Sequence, residues 1–370
     1  MKPSIEFLER VHRQVEIRTD VPGSFANDTY VSRFPELLRD CLADNHERFS
    51  AEQRDRILQL IEGMHGDADI PLPSQLPKTV VKSFTSEQWE QLLAGEEYTW
   101  QNSPWFLGEQ YVFHWLLLIT DYYSTGIDPF RSLKVKELSE GTPWRLLQNA
   151  IDLPTESGQD RNNTLKRFLK LCLWGNKADG CNKEVKNTVS EKDASLVFSD
   201  ELLLVDHSDR VISLLEQKAH ELEGSQYLSV EYINDNSGTE LLLDLALADH
   251  LLSRGWCGKG TFNDILWNCY SYYWEFPTKL HTRLARESTL VIIKGDLNYR
   301  HLLGDRLWAP TTPVEEAVPY FPTAFVALRT LKSDPVVGLS AETVNQLEKE
   351  DPNWRCNGMR SMIQSVLTLE

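Results

Sequence analysis

The sequence has 370 residues, of which 41% are hydrophobic and 25% charged, values typical of a folded globular protein with two or three structural units. Its 38 Lys and Arg against 55 Asp and Glu give a formal net charge of −17, which argues against an extended nucleic-acid-binding surface. No run approaches the roughly 18 apolar residues of a membrane span, and no signal-peptide core follows the N-terminus. We therefore expect a cytoplasmic protein without a membrane or nucleic-acid partner.

The first half of the chain has the apolar periodicity of helices. Ser50 with Gln53, and Thr85 with Gln88, have the spacing of capping boxes that open helices. The aromatic residues of this half recur at helical spacing, which is more often a sign of core packing than of a cofactor site. The predicted helices cover residues 5–15, 28–42, 50–64, 85–93, 105–123 and 163–174, with a further one starting at 142.

The second half alternates short apolar runs with helical segments. Strands are predicted at 202–205, 227–233, 289–293 and 324–328, and helices at 210–220 and 240–252. Continuously apolar strands that alternate with helices indicate a mostly parallel sheet covered on both faces. With the polar stretch 177–193 as a boundary loop, we predict a helical N-terminal region (1–190) and a three-layer α/β/α domain (191–370).

The strand predicted at 227–233 ends in polar residues. Asp235 and Asn236 follow it and offer hard oxygen ligands, which suit Mg²⁺ or Mn²⁺. A helix starting near Thr239 would direct backbone N–H groups to the same place and favour an anion. The alternative is a simple turn in which Ser237 and Glu240 form a capping box.

The strand predicted at 289–293 breaks into a glycine turn with charged residues. Asp296 can approach a metal ion, while Lys294 and Arg300 can hold phosphate oxygens. The alternative is an Asp/Asn-rich turn with Arg300 on the surface.

The strand predicted at 324–328 is followed by a pair of cations, Arg329 and Lys332, which also suits phosphate binding. An isolated pair of this kind is more often a solvated strand end. Because parallel strands deliver their carboxyl ends to one crevice, however, three polar strand ends together predict a phosphate-handling site.

These motifs are similar to those of a known family. Residues 235–240 (DNSGTE), 294–300 (KGDLNYR) and 329–332 (RTLK) resemble the DUF89 family, in particular its ARMT1-like subfamily III of metal-dependent damage-control phosphatases. Segments 25–35, 172–177 and 304–306 resemble that branch too. The resemblance implies a helical region on an α/β/α domain and hydrolysis of sugar phosphates such as fructose 1-phosphate and fructose 6-phosphate. It implies Mn²⁺, Ni²⁺ or Co²⁺ as the cofactor, and for some members a protein-glutamate carboxyl methyltransferase activity has been proposed.

Carried over by position, the resemblance assigns roles to individual residues. Asp235 and Asn236 match the first two metal ligands, Lys332 matches a phosphate-binding lysine, and Glu240 matches a position linked to the methyl-donor site. The matching substrate-binding stretch comprises Asp296, Leu297, Asn298, Tyr299 and Arg300.

One departure concerns the third metal ligand, an aspartate that ends a Phe-Val-Ser-Asp strand in the family. Only 53 residues separate Glu240 from Lys294 here, and they contain no such strand. The stretch 256–267 looks like the later part of the family's intervening region, so a segment of several tens of residues is expected to be missing. Asp264 lies in the wrong context to replace the ligand, which leaves Asp296 as the candidate.

Together with the three polar strand ends, the resemblance implies a metal-dependent phosphatase of small sugar phosphates, using Mn²⁺ or Ni²⁺, with Co²⁺ or Mg²⁺ as alternatives. Asp235 as the nucleophile and metal-bound water as the nucleophile both remain open. The rival hypotheses are a non-catalytic or weakened relative that binds phosphorylated ligands, and a carboxyl methyltransferase. The sequence does not indicate an oligomeric state.

Overall fold

The computed structural model describes residues 3–152, 159–175, 200–223, 226–262 and 272–367. The chain divides into two compact units, one formed by Glu16–Lys136 and the other by Met1–Val15 with Glu137–Glu370. Within the described residues no helix is long and apolar enough to cross a membrane.

The α-helices and the strands of the main sheet are numbered in chain order. The helices are α1 (Ile5–His12), α2 (Phe25–Asp28), α3 (Phe34–Asp44), α4 (Ala51–His65), α5 (Ser86–Leu93), α6 (Trp105–Ile119), α7 (Tyr122–Thr125), α8 (Arg131–Ser139), α9 (Gly141–Ile151), α10 (Gln159–Gly175), α11 (Ser208–His220), α12 (Thr239–Ser253), α13 (Thr278–Glu287), α14 (Gly295–Leu303), α15 (Val314–Ala317) and α16 (Ala341–Glu350). The strands are β1 (Leu203–Asp206), β2 (Ser229–Ile233), β3 (Lys259–Phe262), β4 (Leu290–Lys294), β5 (Phe325–Thr330) and β6 (Ser361–Val366).

The unit Glu16–Lys136 is helical, as predicted, with a core rich in aromatic side chains. The capping box at the start of α4 is confirmed, since Ser50 and Gln53 each bond the backbone N–H of the other. The one at α5 is wrong, because the Thr85 side chain makes no capping bond. The helix predicted over 105–123 ends at Ile119, since Asp121 takes a left-handed conformation with φ +55° and starts a separate turn of helix.

The other unit is built on a six-stranded sheet in the order β1-β6-β5-β4-β2-β3. All neighbouring strands are parallel except β5 and β6. Strands β3 and β6 were not predicted, because β3 contains Lys259 and Gly260, and β6 carries Ser and Gln side chains that are buried in the fold.

Alternate residues of each strand face opposite layers of helices. In β4, Val291 and Ile293 belong to a core formed with α1 and α13–α16, whereas Leu290 and Ile292 belong to a core formed with α9–α12. The predicted three-layer α/β/α fold with a mostly parallel sheet is therefore confirmed. Because α9 and α10 bury apolar residues on the sheet, they belong to its unit, although both precede residue 190, where the sequence predicted a boundary.

Candidate functional site

The three polar strand ends lie at one edge of the sheet. Strand β4 is the parallel neighbour of both β2 and β5, with Ile233 in register with Ile293 and Lys294 in register with Leu328. The chain segments that leave these strands therefore start side by side, at the carboxyl edge where open α/β sheets bind ligands.

Asp235 is in direct contact with the first residue after β4. Gly295 has φ +84°, and a Cβ atom built on it would lie 1.8 Å from Asp235 Oδ2. A side chain is thus excluded at this position both by backbone conformation and by space. The glycine is what lets the ends of β2 and β4 approach so closely.

Asn236 lies between two carboxylates. Its Nδ2 donates to Asp235 Oδ2 and to Glu240 Oε2, both at 3.1 Å. Asp235 and Asn236 together offer a carboxylate and an amide oxygen, the donor types that hard divalent ions prefer. In the part of the chain that the structure describes, no three His, Cys, Asp or Glu side chains are grouped so as to hold a metal ion.

Lys294, predicted to hold phosphate, is fully buried among protein oxygens. Its Nζ lies 2.9 Å from Glu240 Oε1 and 2.9 Å from Asp244 Oδ1, and donates to the Cys172 carbonyl oxygen at 2.8 Å. Burial lowers the pKa of Lys294, but the two carboxylates outweigh it and raise that pKa above its ordinary value. Lys294 therefore joins β4 to α12 and α10, and its ammonium group is bonded to groups of the chain itself.

Burial also affects Asp244, whose pKa is raised to about 6 although Lys294 acts in the opposite direction. The second oxygen of this carboxylate, Oδ2, accepts a hydrogen bond from Asn234 Nδ2 at 2.8 Å. Asp244 is thus bonded both to Lys294 and to Asn234, the residue that precedes Asp235.

Asp296 and Arg329 connect the ends of β4 and β5. Arg329 Nε donates to Asp296 Oδ1 at 2.7 Å, and the backbone N–H of Lys332 donates to the same oxygen at 3.0 Å. Burial raises the pKa of Asp296, but the Arg329 guanidinium and hydrogen bonds outweigh it, so that this pKa lies below its ordinary value. Asp296 is therefore a carboxylate whose position is fixed by β5.

Arg329 is itself fully buried, with no exposed surface. Its other nitrogens donate to Ser333 (2.9 Å to the carbonyl oxygen and 3.1 Å to Oγ) and to the carbonyl oxygen of Pro335. In this arrangement Arg329 positions Asp296 and the turn after β5. Its guanidinium is bonded to groups of the chain, in contrast to the phosphate contact that the sequence predicted.

Arg300 is buried as well, which excludes the surface position considered as its alternative. Nε and Nη2 bond the two oxygens of Asp305 at 2.7 and 3.1 Å. The pair lies within and just beyond α14, where only 3% of Arg300 is exposed. A guanidinium held at two points in this way fixes the end of the helix.

The rest of the predicted substrate-binding stretch is mostly structural. Asn298 Nδ2 donates to the carbonyl oxygens of Lys294 (2.7 Å) and Asn234 (3.0 Å), while its Oδ1 accepts from the Tyr273 hydroxyl at 2.5 Å. Tyr299 packs in the core and donates to Gln364 at 2.7 Å. Leu297 and Lys332 are half-buried, so these two retain partial access to solvent.

The N-terminus of α12 is capped by a distant carboxylate. Glu137 Oε1 accepts from the backbone N–H of Thr239 at 2.8 Å and from its hydroxyl at 2.6 Å. The capping box of Ser237 with Glu240, considered as the alternative for this turn, does not form, since Gly238 is the N-cap and Glu240 bonds Asn236 and Lys294. The backbone N–H of Thr239, which the sequence analysis expected to bind an anionic ligand, is thus bonded to the Glu137 carboxylate of the chain itself.

Three carboxylates of this region were missed by the sequence analysis: Glu137, Asp244 and Asp305. Asp244 follows Glu240 by one helical turn, a spacing that places both on one face of α12 and was a usable signal. Asp305 lies in the segment 304–306 already noted. Glu137 is 102 residues from its partner and left no local signal.

A family model described as the damage-control phosphatase ARMT1-like domain matches residues 29–263 and 261–347. Proteins named damage-control phosphatase ARMT1 are similar over most of their length. The one from Xenopus laevis is 26% identical over 427 positions (92% of this chain, 96% of that protein), and the one from Danio rerio 28% over 427 positions (92% and 94%). The Homo sapiens protein is 26% identical over 432 positions (92% and 96%). Because these alignments are longer than the 370 residues of this chain, the relatives contain residues with no counterpart here.

Proposed function

The chain belongs to the damage-control phosphatase ARMT1-like family, and we propose that it hydrolyses small sugar phosphates, of the fructose 1-phosphate or fructose 6-phosphate type, with the help of Mn²⁺ or Ni²⁺. The observation that carries this proposal is the arrangement of β2, β4 and β5, whose neighbouring ends bring Asp235, Asn236, Asp296 and Lys332 to one edge of the sheet.

The donor set at the end of β2 fits a divalent ion. Asp235 and Asn236 would hold it, with Asp296 as the further carboxylate at the adjacent strand end. When bound, such an ion supplies Lewis-acid polarisation of a phosphoryl oxygen. Asp296 already accepts hydrogen bonds from Arg329 and from the backbone N–H of Lys332, so we expect weaker binding than in a site whose third carboxylate serves the ion alone.

The local charge supports the need for a cation. Lys294, Arg300 and Arg329 are each bonded to a buried carboxylate, so their charges are already offset inside the protein. A phosphate dianion at this edge would add to the negative charge of Asp235. Without a divalent ion, electrostatic repulsion would oppose its binding.

Lys332 is the residue we assign to the phosphate, where its ammonium would offset charge that develops in the transition state. Its backbone N–H is held by Asp296, which is held in turn by Arg329. Asp235 would act either by accepting a proton from the attacking water or by attacking phosphorus itself. In both cases the bond between phosphorus and the sugar oxygen breaks and the sugar leaves as an alcohol after taking up a proton; in the second case water then hydrolyses the phosphoryl–enzyme bond.

The test is phosphate release from fructose 1-phosphate by the metal-free protein before and after addition of Mn²⁺ or Ni²⁺. We expect release only with metal, and a loss of roughly 100-fold or more in Asp235→Asn. Asp249→Asn is the matched control, because Asp249 is an exposed carboxylate on α12. Activity that persists undiminished in Asp235→Ala would exclude this site.

A second candidate is a protein that binds sugar phosphates without turning them over. Two observations favour it. The relatives contain residues that have no counterpart in this chain. The family model also matches in two segments that overlap at residues 261–263, just after the place where the sequence lacks the third metal ligand. Thermal stabilisation by fructose 6-phosphate without phosphate release would support it. Methyl transfer gains no support, because Glu240 is 2% exposed and bonded to Lys294 and Asn236.

A further inference from the structure

We propose that Glu240 is a positioning residue that fixes the side-chain amide of Asn236, so that its oxygen is presented to a metal ion. The inference rests on the proposed function, since it concerns the same metal site. It gives Glu240 a role different from the contact with a methyl donor that the family resemblance implies.

The geometry at Asn236 determines which way its amide points. Nδ2 lies 3.1 Å from Asp235 Oδ2 and 3.1 Å from Glu240 Oε2. The reverse orientation would place the amide oxygen against two carboxylate oxygens, which repel it. Because the amide is planar, a nitrogen directed at both carboxylates turns the oxygen away from them.

Glu240 can impose this orientation because it is itself anchored. Its other oxygen, Oε1, lies 2.9 Å from Lys294 Nζ, and the exposed fractions of the two side chains are 1% and 0%. Lys294 is the last residue of β4, and Glu240 lies in the first turn of α12. The carboxylate therefore connects a rigid strand end to the amide, as residues beyond the direct ligands commonly do in metal sites.

The chain contains a matched control for this role. Asp244 is one turn further along α12, is equally buried, and lies 2.9 Å from the same Lys294 Nζ. Its remaining oxygen bonds Asn234, however, and not Asn236. Either amide variant removes one of the two negative charges beside Lys294 and keeps an oxygen that accepts from it, whereas only in Glu240→Gln does an NH₂ group replace the oxygen that accepts from Asn236.

The test compares Mn²⁺ binding to metal-free wild type, Glu240→Gln and Asp244→Asn by calorimetry and electron paramagnetic resonance. We expect Glu240→Gln to weaken binding by about 10- to 100-fold and Asp244→Asn by less than about threefold. Equal losses in the two variants would overturn the positioning role while leaving the proposed function intact. No Mn²⁺ binding by the wild type would overturn both.

A second measurement does not depend on the folding of Glu240→Gln or Asp244→Asn. In the wild type, the NH₂ protons of Asn236 are expected to exchange slowly with solvent, and to remain protected when diamagnetic Mg²⁺ is added at saturating concentration. The signals are identified by their absence in Asn236→Ser. Loss of protection on Mg²⁺ binding would show that the amide turns, and would overturn the proposal.

Discussion

The carboxylate of Asp235 occupies the space beside Gly295 in which a side chain would begin, with Oδ2 1.8 Å from the position of a Cβ atom. The segment after β2 therefore packs directly against Gly295, the first residue after β4. The position of Asp235 as a candidate metal ligand therefore depends on the absence of a side chain at Gly295, 60 positions away in the sequence.

The first prediction follows from this contact. Gly295→Ala should destabilise the protein by more than about 2 kcal/mol and abolish Mn²⁺ binding, because the methyl group strains a backbone at φ +84° and displaces Asp235. Gly255→Ala is the control: Gly255 has φ +67° but no atom within 4 Å of its Cβ position. Chemical denaturation and calorimetry measure both effects, and equal behaviour of the two variants would contradict the steric argument.

The second prediction concerns Arg329. Arg329→Ala should lower the free energy of unfolding by roughly 3–5 kcal/mol, because Asp296 would remain buried without its guanidinium partner. Arg10→Ala breaks an ion pair with Glu316 that is partly exposed, and should cost less than about 1 kcal/mol. Similar losses in the two variants would show that Asp296 is better solvated than its burial indicates.

The third prediction separates Lys332 from the buried cations. Lys332→Ala should reduce kcat/KM for fructose 1-phosphate by about 100-fold while changing the free energy of unfolding by less than about 1 kcal/mol. The bond from its backbone N–H to Asp296 is retained in this variant. Lys349→Ala, which alters an exposed lysine on α16, should leave both quantities unchanged. A large stability loss without a kinetic effect would place Lys332 among the structural residues.

The fourth prediction is a pH dependence of stability. Burial raises the pKa of Asp244 from its ordinary value of 3.8 to about 6, against the opposing effect of Lys294 and with Glu240 raising it further. The folded state therefore binds this proton more tightly than the unfolded state, so the stability that Asp244 contributes falls as the pH rises from about 4 to about 6 and is constant above that.

Asp244→Asn removes this titration, and the comparison with wild type isolates it from the other acids and from the histidines. Between pH 4 and pH 7 the stability of the wild type should fall relative to the variant by up to roughly 3 kcal/mol. Denaturant titrations at a series of pH values provide the measurement. A difference that is constant over this range, or that has the opposite sign, would contradict the raised pKa.

The sequence was a good guide wherever a property is local. Apolar runs ending in polar residues located β2, β4 and β5, and the rule that parallel strands share an edge brought their ends together. The sequence was a poor guide to β6. Ser361, Gln364 and Ser365 of that strand are buried, although Ser and Gln are residue types usually found at the surface.

The same limit applies to the cations. Lys294, Arg300 and Arg329 looked available for phosphate because the sequence gives no sign of which carboxylates they meet in the fold. Two of those carboxylates, Glu240 and Asp296, had themselves been assigned to ligands, and 54 residues separate Glu240 from Lys294. Whether a charge is offset internally depends on three-dimensional contacts, and only one of the pairings, Arg300 with Asp305, is close in sequence.

The reversed direction of β6 has a practical consequence. Ser361 is in register with Thr330, at the edge of the sheet that carries the candidate site, whereas Val366 is in register with Phe325, where β5 begins. At about 3.3 Å per residue, the strand carries the chain roughly 17 Å away from that edge. A dye, a linker or an immobilising tag joined to the chain beyond Leu367, which packs against the core, would therefore be attached away from the candidate site and would suit surface-based binding assays.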